Sequence, residues 1–246
     1  MTATPPVQAA CEPSPWTLSA DHSVAASAGT RLNLTDASTG LIVDEGVQVL
    51  GLRLPAGCGP VEAWARGADL IAVYEPSDER QLRITAMWRM GPASPATSDI
   101  RWWQMVLSSQ TLLLTSSAEL AVLSTIRGEH ATVAGRWTGE TVAWEGPSEQ
   151  AATCLQVNSR TTEGRTRSVV IAIHPDDPGA IDQHALEDGS LQVCCRLFPS
   201  NVEKGVLLRS RILVALGPDA PPQQAAGDWS ANLLRQFAGS PPVLTA

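Results

Sequence analysis

Tryptophan recurs beside arginine along this chain: Trp64 near Arg66 in VEAWAR, Trp88 before Arg89 in QLRITAMWRM, Trp102 and Trp103 after Arg101, and Trp137 after Arg136. An indole in solvent covers the apolar face of a pyranose ring, and charged neighbours take the ring hydroxyls in bidentate hydrogen bonds. The same residue types in a core only pack, so side-chain alternation must separate the two cases. In a strand over 81–90, Leu82, Ile84, Ala86, Trp88 and Met90 share one face, and Gln81, Arg83, Thr85, Met87 and Arg89 share the other. Trp88 then belongs to the core, and Arg83 with Arg89 forms a basic stripe behind it. VEAWAR behaves differently, because Val61, Ala63 and Ala65 make the apolar side and place Trp64 between Glu62 and Arg66 on the polar one. In IRWWQMVL, Trp103, Met105 and Leu107 read as core, leaving Trp102 and Gln104 on the opposite face. Trp144 alternates with Val142 as a core residue, and Trp137 is open.

If these strands are neighbours in one sheet, Glu62, Trp64, Arg66, Arg83, Arg89 and Trp102 furnish one polar face for a carbohydrate or similar polyol. The competing reading packs Trp64 beneath a long loop or a C-terminal helix. Were the protein an enzyme, Glu62 or Glu75 would be the first carboxylate to test as general base, since proton abstraction needs a titratable group within reach of the sugar.

Other chemistry is sparse. HPDDPGAIDQHALED gathers His174, Asp176, Asp177, Asp182 and His184, ligand types for zinc, manganese or iron, but their spacing matches no established motif. Prolines and aspartates describe a solvated turn equally well, and no metal or cofactor is expected. The chain has no G-x-S-x-G elbow, P-loop, H-E-x-x-H or dinucleotide fingerprint. Five cysteines lack any C-x-x-C pair, and QVCCRLF reads as an apolar strand whose two cysteines face opposite ways. Reduced thiols are expected.

The elements that must position these residues are set by size and pattern. A chain of 246 residues buries roughly 70–75% of its unfolded surface and needs no staples. A formal net charge of −8, with Lys204 the only lysine, excludes nucleic acid as a partner, because phosphate binding draws on clustered cations. No apolar run approaches the roughly 20 residues of a transmembrane helix, and the N-terminus lacks a basic then apolar leader, so a cytoplasmic location with no membrane partner is expected. Oligomeric state is left open.

From about residue 16 onward, short apolar stretches alternate with period two and are broken by Gly, Pro, Asp or Ser. About fifteen strands are expected, including TRLNLTD, TLLLTSS and GVLLRSRILVAL, with tight turns at Gly67 and Gly139 joining antiparallel neighbours. The fold class is all-β: a large two-sheet antiparallel sandwich over 16–220, after a loose segment over 1–15. Residues 221–246 carry a short helix and tail, with Asp228 or Ser230 as N-cap, Leu233, Leu234 and Phe237 on the apolar side, and Gly239 with Pro241 as the stop.

LQVCCRLFPSNVEKGVLLRSRILVAL, together with VEAWARGADLIAVYEPSDERQLRITAMWR, resembles uncharacterised bacterial proteins, planctomycete ones in particular, that share the super-sandwich of the galactose-mutarotase and polysaccharide-lyase type. The resemblance spans most of residues 16–216 and implies that fold with a tendency toward carbohydrates. Mutarotases of the fold pair a carboxylate base with a histidine acid, but His22, His130, His174 and His184 match none of the family's signatures, so no catalytic residue carries over. Two functions follow as expectations: sugar binding or processing on an exposed sheet face, or a non-catalytic interaction or scaffold domain that self-associates.

Overall fold

The computed structural model describes residues 14–21, 23–26, 29–91, 100–145, 151–160, 164, 166–218 and 229–241. The segment 1–13, His22 and the proposed cap Asp228 lie outside them. Along the chain run β1 (Trp16–Leu18), β2 (Ser23–Ala26), β3 (Arg31–Asn33), a 3-10 segment (Leu34–Thr39), β4 (Leu41–Asp44), β5 (Val47–Leu52), β6 (Glu62–Arg66), β7 (Asp69–Tyr74), β8 (Leu82–Met90) and β9 (Arg101–Thr111). There follow β10 (Thr115–Ser117), β11 (Leu120–Ile126), β12 (Glu129–Thr138), β13 (Thr141–Glu145), β14 (Cys154–Arg160), β15 (Thr166–Ile173), β16 (Gly179–Ala185), β17 (Leu191–Leu197), β18 (Asn201–Glu203), β19 (Leu208–Gly217) and the helix α1 (Trp229–Ala238).

The strands form the expected two-sheet antiparallel sandwich. One sheet has the order β1-β2-β3-β4-β5-β11-β17-β16 and the other β13-β12-β14-β15-β19-β9-β8-β7-β6, while β10 and β18 pair separately. Alternation sends Leu70, Ala72, Tyr74, Ile84, Trp88, Trp103 and Met105 of the second sheet inward, where they share one core with Leu41, Val49, Leu52, Val122 and Val193 of the first. The largest rings also satisfy their polar tips across that core. Trp88 Nε1 donates to the Leu50 carbonyl at 3.0 Å and Tyr74 Oη to the Leu34 carbonyl at 3.2 Å, as buried indoles and phenols must. Two-residue hairpins at Gly67 and Gly139, both at positive φ, join β6 to β7 and β12 to β13.

Several boundaries differ from the sequence reading. β2 and β4 were not anticipated, TRLNLTD turns into a 3-10 segment after Asn33, and TLLLTSS breaks at an exposed turn over Leu112–Leu114. The end of the supposed ligand loop is strand β16, whose Asp182 and His184 lie opposite Cys194 and Gln192 of β17. Ser230 does not cap α1. It lies inside the helix and is buried.

Helix α1 covers half of the outer face of the nine-stranded sheet. Leu234 and Phe237 form a second cluster there with Cys154, Val170, Ala172 and Leu213, and Trp102, Trp137, Trp144, Trp229 and Leu233 pack against it. Trp144 is therefore packed as expected, but beneath the helix rather than between the sheets. Trp137 joins it and donates its Nε1 to the Ile173 carbonyl at 2.6 Å.

Candidate functional site

The other half of that outer face carries the predicted residues. Strands β6, β7, β8 and β9 are consecutive neighbours, and their register lines up three rows. Trp64, Ile71, Met87 and Val106 form the middle row. Glu62, Val73, Thr85 and Ser108 lie on one side of it, and Arg66, Asp69, Arg89 and Gln104 on the other. The adjacency on which the sequence reading depended is thus met for Glu62, Trp64, Arg66, Arg83 and Arg89.

The middle row is apolar on a face that points away from the main core. Ile71, Met87 and Val106 are buried as a small cluster of their own, whereas Trp64 on the outermost strand is 41% exposed. Trp64 is not covered by α1, whose contacts lie at β13 and β19. Charges bracket the ring on both sides. Arg83 reaches Glu62 at 3.5 Å and pairs with Glu75, forming a carboxylate–guanidinium–carboxylate chain. Across the row, Arg89 makes a two-pronged pair with Asp69 at 2.6 and 2.8 Å, and that hydrogen bonding raises the guanidinium above its usual value. Arg66 is exposed at the hairpin. Glu75 and Arg83 also open onto a cavity of about 510 Å³ lined by Ser77, Asp78, Gln110 and Leu112.

Trp102 stands apart from this group. It lies four residues along β9 from Val106 and three strands from Trp64, about 20 Å away by strand spacing and rise. Its ring lies directly on Gly91, where an added Cβ would collide with it, and it packs beside the helix cluster. Trp64 and Trp102 therefore cannot clasp one sugar ring. Sequence parity placed both on one face but gave no hint of the helix. Asp69 and the apolar strip of Ile71, Met87 and Val106 were not singled out, although the parity that exposed Arg83 also exposes Met87.

No described histidine stands near Glu62 or Glu75. His174 lies at the far end of the middle row, beyond Arg211 of β19, which faces Val106. It is buried and accepts at Nδ1 from Arg211 Nη2 at 2.8 Å and from the Asp176 N–H at 3.2 Å. Burial and the Arg211 charge hold its imidazole below the ordinary range. Asp177 accepts from the Arg211 backbone N–H at 2.7 Å, while Asp182 pairs with Arg196 at 2.5 Å. Of the five residues read as potential ligands, His174, Asp176 and Asp177 gather around the Arg211 guanidinium, Asp182 pairs with Arg196, and His184 lies exposed on β16, so among the described residues no three His, Cys, Asp or Glu side chains are placed to hold a metal ion. Cys154, Cys194 and Cys195 are free thiols pushed up by burial, the opposite of an activated nucleophile.

No protein-family model matches the chain and no curated protein aligns with it. Solved structures do overlay on it. A protein of Escherichia coli K12 provisionally described as an aldose 1-epimerase superposes at a TM-score of 0.43 with 11% identity, over 64% of this chain and 68% of the other. An α-galactosidase from Lactobacillus brevis gives 0.37 and 8% over 70% and 26%, and a heparinase III gives 0.34 and 10% over 82% and 30%. This chain spans about a quarter to a third of the length of the last two. Likenesses this low carry no functional weight for this chain.

Proposed function

We propose that the open half of the nine-stranded sheet's outer face binds a carbohydrate, with Trp64 as its platform. One observation carries the reading: an exposed indole at the end of an apolar row, with Glu62, Arg83 and Glu75 on one flank and Arg66, Arg89 and Asp69 on the other. An amphipathic ligand needs that division, since its ring face seeks apolar contact while its hydroxyls seek planar donors and acceptors. The cavity beyond Glu75 and Arg83 gives a second sugar unit a place to lie. Trp102 would be reached only by an extended chain. The test is a fluorescence and thermal-shift titration against mono- and oligosaccharides. A saturable response weakened by Glu62→Gln or Arg83→Gln supports the site, and a folded protein that responds to no sugar overturns it.

A second reading, a self-associating interaction domain, is favoured by one feature. Leu112, Leu114, Val206 and Leu207 are all exposed on two turns joined by the Lys204 N–H to Leu114 carbonyl bond. Clustered surface aliphatics mark contact surfaces. Light scattering that finds a dimer which Leu114→Asp with Leu207→Asp dissociates would favour it, and a monomer at all concentrations would dismiss it.

A further inference from the structure

A second cavity, of about 550 Å³, lies over the outer face of the other sheet and shares no residue with the Trp64 platform. Its floor is a row of outward-facing side chains on neighbouring strands: Arg31 of β3, Ile42 of β4, Gln48 of β5 and Thr125 of β11. Arg31 stands on one bank and Arg127, just past β11, on the other. Three strand spacings and the two residues from Thr125 to Arg127 put them about 16 Å apart, and two long side chains can reach toward one another over Ile42 and Gln48.

The charge there runs against the rest of the molecule. The chain carries −8, yet Arg31, Arg101 and Arg127 line this cavity with only Asp44 and Glu45 opposing them. Asp44 is already engaged, by Arg167 at 2.8 Å and Arg101 at 3.7 Å. Arg101 is fixed by donating to the Val43 carbonyl at 2.8 Å and by lying 5.7 Å from the Trp103 ring centre. Arg31 and Arg127 are exposed, and among the described residues neither has a carboxylate within ion-pairing distance; Arg127 acts on Asp188 only as a distant charge, while hydrogen bonds from Ser190 chiefly hold that carboxylate. Two guanidinium forks without a paired carboxylate, above a floor of Ile42, Gln48 and Thr125, are suited to planar oxyanions, which accept from them in bidentate fashion.

We infer that this cavity is a binding site for a small oxyanion-bearing molecule, carboxylated, sulfated or phosphorylated, clasped by Arg31 and Arg127. The probes are citrate, inorganic phosphate, sulfate and glucuronate, titrated calorimetrically into the full chain at constant ionic strength, with glucose as the neutral control. Saturable binding of at least one anion is expected, weakened about tenfold or more in the double variant Arg31→Gln with Arg127→Gln, the scale for losing charge-assisted hydrogen bonds. Both positions are exposed, so folding should persist, with circular dichroism as the check. Trp64→Ala should leave anion binding unchanged, which separates this site from the sugar face. Parental affinity in the double variant, or no saturable binding of any of the four anions, overturns the inference.

Discussion

Replacing Arg211 by alanine should loosen the seat of the C-terminal helix, and the size of the effect follows from burial. The Arg211 side chain is 4% exposed and that of Asp177 12%, with Nε 3.3 Å from the carboxylate. The same guanidinium donates to the Ser240 carbonyl at 3.0 Å, just past α1, and to His174, whose ring meets Phe237 of α1 edge-on at 5.1 Å. Removing one partner of a buried pair costs about 3–5 kcal/mol because the other charge stays buried. Asp177 keeps the backbone N–H of residue 211 at 2.7 Å, which lowers the expectation to about 3 kcal/mol. For a chain of this size that is a fall in Tm of about 6–12 °C. Arg196→Ala is the control, because its bond to Asp182 is shorter, at 2.5 Å, but its partners are 51% and 36% exposed. Solvent screening makes such a pair nearly neutral, so this variant should melt with the parent. Paired urea titrations and thermal scans measure both. Equal losses in the two variants, or a loss under about 1 kcal/mol for Arg211→Ala, would refute burial as the deciding factor.

Two further outcomes follow from the same packing. Burial and Arg211 hold His174 below the ordinary imidazole range, so between about pH 7.5 and 5.5 the unfolded chain takes up a proton that the native one refuses. Stability should therefore fall as pH drops through that window, and His174→Gln should flatten the slope in pH-dependent melting; an unchanged slope would contradict the assignment. Gly91→Ala should cost about 1–3 kcal/mol and shift tryptophan emission, since its Cβ would enter the space of the Trp102 ring. Wild-type stability and emission would show that the ring is not seated there.

Local alternation made most of this architecture readable. Trp88, Trp103 and Trp64 fell on the predicted faces because each sits in a strand whose apolar partners repeat every second residue. β16 escaped notice because it is an edge strand with Ile181 as its main inward aliphatic residue, while Asp182 and His184 face solvent and resemble a loop. The pairing of β9 with β19, about a hundred residues apart in sequence, is equally invisible to local pattern. Trp102 shows the limit for the site. Its face could be read from parity, but its neighbours depend on where α1 docks, a tertiary contact that no strand pattern encodes.

The most direct test of the central claim is isothermal titration of the best-responding oligosaccharide into wild type, Trp64→Phe and Trp64→Ala, with melting curves alongside. Trp64 is 41% exposed on the outermost strand, so all three proteins should stay folded at the assay temperature, with the alanine variant melting somewhat lower. The account predicts that affinity is largely kept with phenylalanine and falls about tenfold or more with alanine. Unchanged affinity in a folded Trp64→Ala protein would contradict it.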